Sequence, residues 1–403
     1  MPEVVGNGGS PALSAFEVQS GTRLVFGAGS VERVGELARS VGARRILLVT
    51  DPGLVRAGHG PRVERLLQSG GLDVVLFDQA KENPTTRCVE DCVAVAKAAR
   101  VDTIIGLGGG SSMDTAKGCN FLLTNGGQMR DYRGVGKAAK PMLPFLAIPT
   151  TAGTGSECQC AALIADEVTH EKMACLDRKA LACVELLDPA LTVSQPARVT
   201  ACTGMDALAH ALETAVTTRR NPVSAMYSRE AFRMLLDAFP RVLAGPDDLA
   251  ARGAMLLGAA FAGTAIEHSM LGAAHAAANP LTAHFGIVHG AAVGLMLPGV
   301  IRFNAEHPAA GKAYVDLACA ARLARPGDPP AAVALALAQQ LESLCDQSGL
   351  PRRLAERGVD RTAIPQLAQE AARQWTASFN PRPLTASDFE RLYHGAFADG
   401  GLA

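Results

Sequence analysis

The chain has 403 residues, 38 Lys+Arg against 39 Asp+Glu, and 48% apolar residues with only 4% aromatics. That is too long for one small core, so two domains are expected. No basic block marks a nucleic-acid partner, the longest mostly apolar run (254–266) is too short to span a bilayer, and no secretory leader is read at the start.

Residues 1–20 read as a loose tail rich in Gly, Ser and Pro. Arg45–Val49 reads as a buried strand ended by Thr50-Asp51-Pro52-Gly53, and Val74–Phe77 as a second strand. Val89–Arg100 has helical periodicity. Thr103–Gly106 is a third strand that runs into Gly108-Gly109-Gly110-Ser111-Ser112, with a helix expected from Met113 to Leu123. Phe145–Ile148 is another strand, followed by Pro149 and the loop Thr150–Glu157. Short apolar strands that alternate with helices and end in Gly, Ser or Thr indicate a parallel α/β sheet. Near Asp188-Pro189 the pattern changes to long Ala/Leu-rich helical stretches. The expected organisation is a tail (1–20), a Rossmann-like α/β domain (21–189) and an all-helical domain (190–403).

The ten cysteines are scattered. Cys88/Cys92 and Cys158/Cys160 are close pairs, but none has the paired CxxC spacing of a zinc site. Reduced thiols in a cytoplasmic protein are expected.

Gly108-Gly109-Gly110-Ser111-Ser112 follows a strand and opens a helix, a place where free N–H groups favour a phosphate. Asp114 and Lys117 lie in the first helical turns. An ordinary strand-to-helix turn would look the same. Thr150, Thr151, Thr154 and Ser156 sit in a second glycine-rich loop at a strand's carboxyl end, where open α/β sheets bind ligands. Asp51 ends an early strand; it fits a ribose acceptor or a turn-forming Asp before Pro52.

Asp206 and His210 are four residues apart, and His275 and His289 follow. One carboxylate and three imidazoles suit a borderline divalent ion such as Fe(II) or Zn(II). Helical spacing puts Asp206 and His210 on one face. An Asp/His pair at that spacing is also a common surface or capping pair. Four histidines fall within 268–289, and the surroundings of His275 are small and apolar, so an unpaired imidazole there would be costly.

Together, Gly108–Lys117 (GGGSSMDTAK), Pro149–Glu157 (PTTAGTGSE), Gly204–His210 (GMDALAH), the stretch from Gly272 through Asn304 and Asn380-Pro381-Arg382 resemble the iron-containing (group III) alcohol dehydrogenase family. The resemblance implies a Rossmann-like domain with a parallel sheet, then a helical domain, with the active site in the cleft between them. It implies NAD bound by Gly108, Gly109, Gly110, Ser111, Ser112, Asp114, Lys117, Thr150, Thr151, Thr154 and Ser156. Lys172 is placed in the same set. Asp51 stands where an acidic residue favours NAD over NADP. Asp206, His210, His275 and His289 become the ligands of Fe(II), with Zn(II) or another divalent ion as alternatives. The implied reaction is reversible hydride transfer between a small primary alcohol or aldehyde and nicotinamide. The implied assembly is a homodimer or larger.

One position departs from the family pattern. Many members carry a second histidine where this chain has Asn279, and asparagine cannot exchange a proton near neutral pH. His268 and His284 are candidate replacements. His268 and His275 are expected on one helical face, with Gly272 between them. The alanines around His275 are expected to leave room for a small uncharged substrate, a view Arg382 would oppose if it entered the cleft. Rival readings are a nicotinoprotein or hydroxyacid-type oxidoreductase that retains its cofactor, a metal-independent relative such as maleylacetate reductase, and a dehydroquinate synthase-like lyase.

Overall fold

The computed structural model describes residues 16–18, 21–169 and 171–397. The tail expected at 1–20 lies almost wholly outside the described residues. The first half runs β1 (Arg23–Phe26), α1 (Val34–Ser40), β2 (Arg45–Val49), α2 (Pro52–Arg56), α3 (His59–Ser69), β3 (Asp73–Phe77), α4 (Thr86–Ala99), β4 (Thr103–Gly108) and α5 (Gly110–Asn125). It continues with β5 (Gly134–Val135), β6 (Phe145–Pro149), β7 (Ala161–Ala165), β8 (Lys172–Leu176) and β9 (Val184–Leu187). Strands expected at residues 45, 74, 103 and 145 are β2, β3, β4 and β6. The helix expected from Val89 begins three residues earlier, because the Thr85 side chain caps α4 by accepting from Cys88 N.

Six strands form one parallel sheet in the order β1-β9-β6-β4-β2-β3; β5, β8 and β7 form a smaller mixed sheet. Alternation along the strands assigns each side chain to a face. Leu47, Val49, Ile104, Phe145 and Ala147 pack with Val89, Cys92, Ala96, Met113 and Ala116 of α4 and α5. Ile46, Leu48, Ile105, Leu107, Leu146 and Ile148 pack on the other face with Val34, Leu37, Val63 and Leu67 of α1 and α3. Burial on both faces is why β4 and β6 read as unbroken apolar runs. The chain steps from β2 outward to β3 and returns to β4 on the far side. The resulting switch point between β2 and β4 is where such sheets open a ligand crevice.

After β9 the described residues contain no strand. They form α6 (Ala197–Thr214), α7 (Pro222–Ala244), α8 (Leu249–Glu267), α9 (Ala273–Phe285), α10 (His289–Ala305), α11 (Pro308–Ala320), α12 (Pro330–Gln347), α13 (Ile364–Arg373) and α14 (Ala386–Gly395). Helix α6 is central. It is buried almost continuously from Thr200 to Thr214 and packs on α7, α8 and α10. Helix α8 is long and apolar enough to cross a membrane by length and composition, but 67% of it is buried, packed on α6 and α7 as a core helix.

Two expectations are corrected here. His268 and His275 do not share a helix. α8 ends at Glu267 with His268 as its C-cap, and Gly272, with φ −141° and ψ −139°, starts the separate helix α9. The alanines flanking His275 (Ala273, Ala274, Ala276, Ala277 and Ala278) do not leave open room, because each is fully buried in the helical core. Their small side chains let α9 pass close to its neighbours.

Candidate metal and cofactor site

Three helices deliver the four candidate ligands. Asp206 and His210 project from α6, His275 from the first turn of α9, and His289 opens α10. Close approach of α10 to α6 depends on Gly290. A Cβ there would lie 2.0 Å from the Cys202 carbonyl oxygen, one helical turn before Asp206.

The Nε2 atoms of His210, His275 and His289 lie 3.5, 3.3 and 3.8 Å from one oxygen, Asp206 Oδ1. The His210 and His275 rings stack at 4.9 Å. Ligand atoms about 2.1 Å from a tetrahedral ion stand about 3.4 Å apart, so these spacings match a shared divalent cation. Asp206, His210 and His275 are buried, and His289 is the most open at 35% exposure. Asp206 Oδ1 and His275 Nε2 are buried with no hydrogen-bond partner among the described residues. Such orphaned atoms are costly unless something fills the space between them. The donor set and its spacing therefore fit a metal.

The remaining ring nitrogens are anchored. His210 Nδ1 lies 3.2 Å from the Gly153 carbonyl, which reaches it from the loop after β6. His275 Nδ1 lies 2.5 Å from Glu213 Oε2. Glu213 was missed in the sequence, although its place on α6, seven residues after Asp206, puts it on the same face.

Burial works against the charged form of Asp206, but His210, His275 and His289 outweigh it and hold the carboxyl below the usual aspartate range. Burial also opposes a charged His275; Glu213 and Asp206 overcome it and raise the imidazole to about 10. Burial lowers His210. It pushes His289 down to about 3, with Asp206 opposing and His275, Lys172 and His210 assisting. Burial thus works against charge on His210 and His289, while the carboxylates of Glu213 and Asp206 favour a proton on His275 that a cation can displace.

Across the cleft, α5 starts at the switch point. Gly109 caps it without a side chain, so its first-turn N–H groups are open to an anion. The two glycine loops touch. A Cβ on Gly109 would lie 3.3 Å from Thr151, and one on Gly110 3.1 Å from Thr154. Asp51 caps α2, with Oδ1 accepting from Gly53 N and Leu54 N at 2.7 and 3.1 Å. Its turn role is therefore present, and among the described residues no hydrogen bond reaches Oδ2.

Several expected cofactor contacts face inward instead. Lys117 is 1% exposed, and its Nζ bonds Ser156 O, Ser156 Oγ, Gln159 O and Ala161 O at 2.5–3.0 Å. Ser156 Oγ donates to Asp114 Oδ1 at 2.9 Å, and Ser112 is 2% exposed. Lys117, Asp114 and Ser156 brace the two loops from beneath, because their polar atoms are spent on the protein, and Ser112 is buried beside them. Lys172 is exposed at the start of β8 and donates to Asn83.

The candidate proton carriers are dispersed. His284 is exposed and its Nε2 lies 2.7 Å from Glu370 Oε2, a hydrogen-bonded pair on the surface. Asn279 is half-buried one turn beyond His275, and its Nδ2 donates to Gln374 Oε1 at 3.1 Å. His268 is half-buried, and burial lowers its pKa, with Glu267 opposing. Arg382 pairs with Glu306 and stacks 3.8 Å over the Phe303 ring, so it is held away from substrate duty.

A parallel sheet with an anion-ready helix start, facing a buried carboxylate–imidazole cluster, defines a metal-dependent oxidoreductase that uses a nucleotide cofactor. Comparison with known proteins sharpens that class. Residues 21–189 match the model for iron-containing alcohol dehydrogenase, and residues 200–397 match the C-terminal domain of the Fe-containing alcohol dehydrogenase family. The NAD-dependent methanol dehydrogenase of Bacillus methanolicus is 34% identical over 92% of this chain and 97% of its own length. The lactaldehyde reductase of Escherichia coli (strain K12) is 32% identical over 92% and 97%. A crystal structure of 1,3-propanediol oxidoreductase superposes with a TM-score of 0.92 at 30% identity, covering 95% of this chain and all of that one. The chain belongs to the iron-containing alcohol dehydrogenase family. It is an alcohol/aldehyde oxidoreductase, and iron and NAD(H) are the cofactors its family implies.

Proposed function

We propose that Asp206, His210, His275 and His289 bind one Fe(II), and that the protein interconverts a small, uncharged primary alcohol and its aldehyde with NAD(H). The observation that carries this is the pair of buried, unpartnered atoms Asp206 Oδ1 and His275 Nε2, 3.3 Å apart. When bound, the metal supplies Lewis acidity toward the substrate oxygen, and nicotinamide supplies or accepts the hydride.

The chain's own residues then position and shield. The first turn of α5, with Gly109, Gly110 and Ser111, holds the pyrophosphate, and Thr150, Thr151 and Thr154 border it. Asp51 Oδ2 accepts from a ribose hydroxyl and disfavours a 2′-phosphate. His268, whose pKa burial lowers, takes the proton that Asn279 cannot carry. Asn279, held by Gln374, borders the substrate. A small uncharged substrate is supported by the engagement of Arg382 with Glu306. The names of relatives, which act on methanol, 1,3-propanediol and lactaldehyde, point the same way.

We also infer a homo-oligomer in the reducing cytoplasm. Ten unpaired cysteines support the compartment. An apolar groove lined by Phe26, Pro189, Met234, Leu249 and Leu257 supports the assembly. The test of the main reading is anaerobic NADH oxidation with a panel of small aldehydes, before and after chelation and Fe(II) or Zn(II) add-back. Turnover lost on chelation and restored by metal is expected. Full turnover in chelated protein would overturn the metal assignment.

A further inference from the structure

Glu213 is 3% exposed, and among the described residues no Lys or Arg pairs with it. A buried carboxylate without a cation is expensive, so its contacts account for its presence. Both oxygens are spent at one place. Oε2 lies 2.5 Å from His275 Nδ1, and Oε1 accepts from Ala274 N at 2.7 Å. Asn380 Oδ1 accepts from the neighbouring Ala273 N at 3.3 Å. The fit is tight. A Cβ on Gly272 would lie 3.2 Å from Glu213 Oε1 and 3.0 Å from Asn380 Oδ1. One oxygen thus fixes the turn that carries His275, and the other fixes the ring.

A carboxylate can only accept, so Nδ1 is the donating nitrogen of His275. Nε2 is then the nitrogen left to face Asp206 Oδ1, 3.3 Å away. His210 is oriented more weakly, by a neutral main-chain carbonyl at 3.2 Å. We propose that Glu213 is a positioning residue for the metal centre: it sets the tautomer and angle of His275 so that Nε2 is presented ready for the ion. The inference rests on the metal reading above.

The test is anaerobic titration of metal-stripped protein with Co(II) alone, followed by visible absorption, with NADH binding measured in parallel. In Glu213→Gln the amide oxygen can still accept from Ala274 N, but its NH2 cannot accept from His275. Co(II) affinity is expected to fall by about 10–100-fold, with an altered Co(II) spectrum and unchanged NADH affinity. Glu213→Asp keeps the charge and should recover part of the affinity. A folded Glu213→Gln protein within about twofold of the parent in Co(II) affinity would overturn the proposal. Failure of both variants to fold would assign Glu213 to the fold alone and overturn it as well. If the parent takes up no Co(II), the metal reading itself falls. If the parent binds and Glu213→Gln binds equally, only this inference falls.

Discussion

The two halves of the molecule build their sides of the cleft from different materials. In the helical half the chemistry lies in side chains. Asp206, His210, His275 and His289 arrive from three helices, with their ring nitrogens converging on one carboxylate oxygen. In the sheet half the exposed chemistry is mostly main chain, the bare N–H groups where α5 begins, while Lys117, Asp114 and Ser156 turn inward to hold the loops. A side-chain substitution in the helical half should therefore strike the metal directly. In the sheet half it should act through loop shape and reach the cofactor second-hand.

The largest effect is expected from Asp206→Ala. It removes the oxygen on which all three imidazoles converge, and turnover should fall by about a thousandfold or more. Metal analysis after desalting should show an empty protein whose NADH affinity is retained. Bound metal at parental levels would break the contrast between the halves.

Lys117→Met is the matching test across the cleft. It leaves the carbonyls of Ser156, Gln159 and Ala161 without their donor. Stability should drop by about 3 kcal/mol in urea unfolding, and the KM for NAD should rise while Co(II) affinity holds. A loss of metal affinity equal to the loss of cofactor affinity would mean the two sides are not separable in this way.

A smaller effect belongs to the seam between the halves. Burial pushes the Glu157 carboxyl up to about 7, against Lys117 and its own backbone N–H. Burial, aided by Glu157, pushes Glu185 up to about 8, against Lys117 and a hydrogen bond with Cys158. The folded protein therefore keeps protons that the unfolded chain releases above the ordinary value of 4.5. Stability should fall as pH rises from there to about 8, the reverse of a salt-bridged carboxylate. A series of Tm measurements across that window should slope downward, and Glu185→Gln should flatten it. A flat parental profile would contradict the buried-acid reading.

The smallest effect is expected from Asp51→Gly. The NAD-over-NADP ratio of kcat/KM should narrow by about tenfold, and metal affinity should not move. An unchanged ratio would leave Asp51 as a helix cap only.

The same contrast explains what could be read from the sequence. The carboxylate–imidazole cluster was legible because α6 spacing fixes Asp206 and His210 on one face, and because four histidines crowd into 268–289. The two glycine loops were legible as breaks after apolar strands. Side-chain direction was not. Nothing local says that Lys117 turns under its loop, since its four acceptors lie about forty residues downstream. The same holds for Arg382, whose partners Phe303 and Glu306 are nearly eighty residues away. Glu213 was within reach, because Asp206, His210 and Glu213 share one helical face in an otherwise apolar stretch. The misplaced link between His268 and His275 came from reading through Gly272, where the chain leaves one helix and begins another.

The central claim is that one divalent ion joins these three helices. Its most direct measurement is anaerobic Fe(II) titration of chelated parent and His275→Ala protein by calorimetry, with circular dichroism to confirm that both are folded. The account predicts one ion per chain in the parent and no measurable uptake in the variant. Equal uptake by both folded proteins would contradict it.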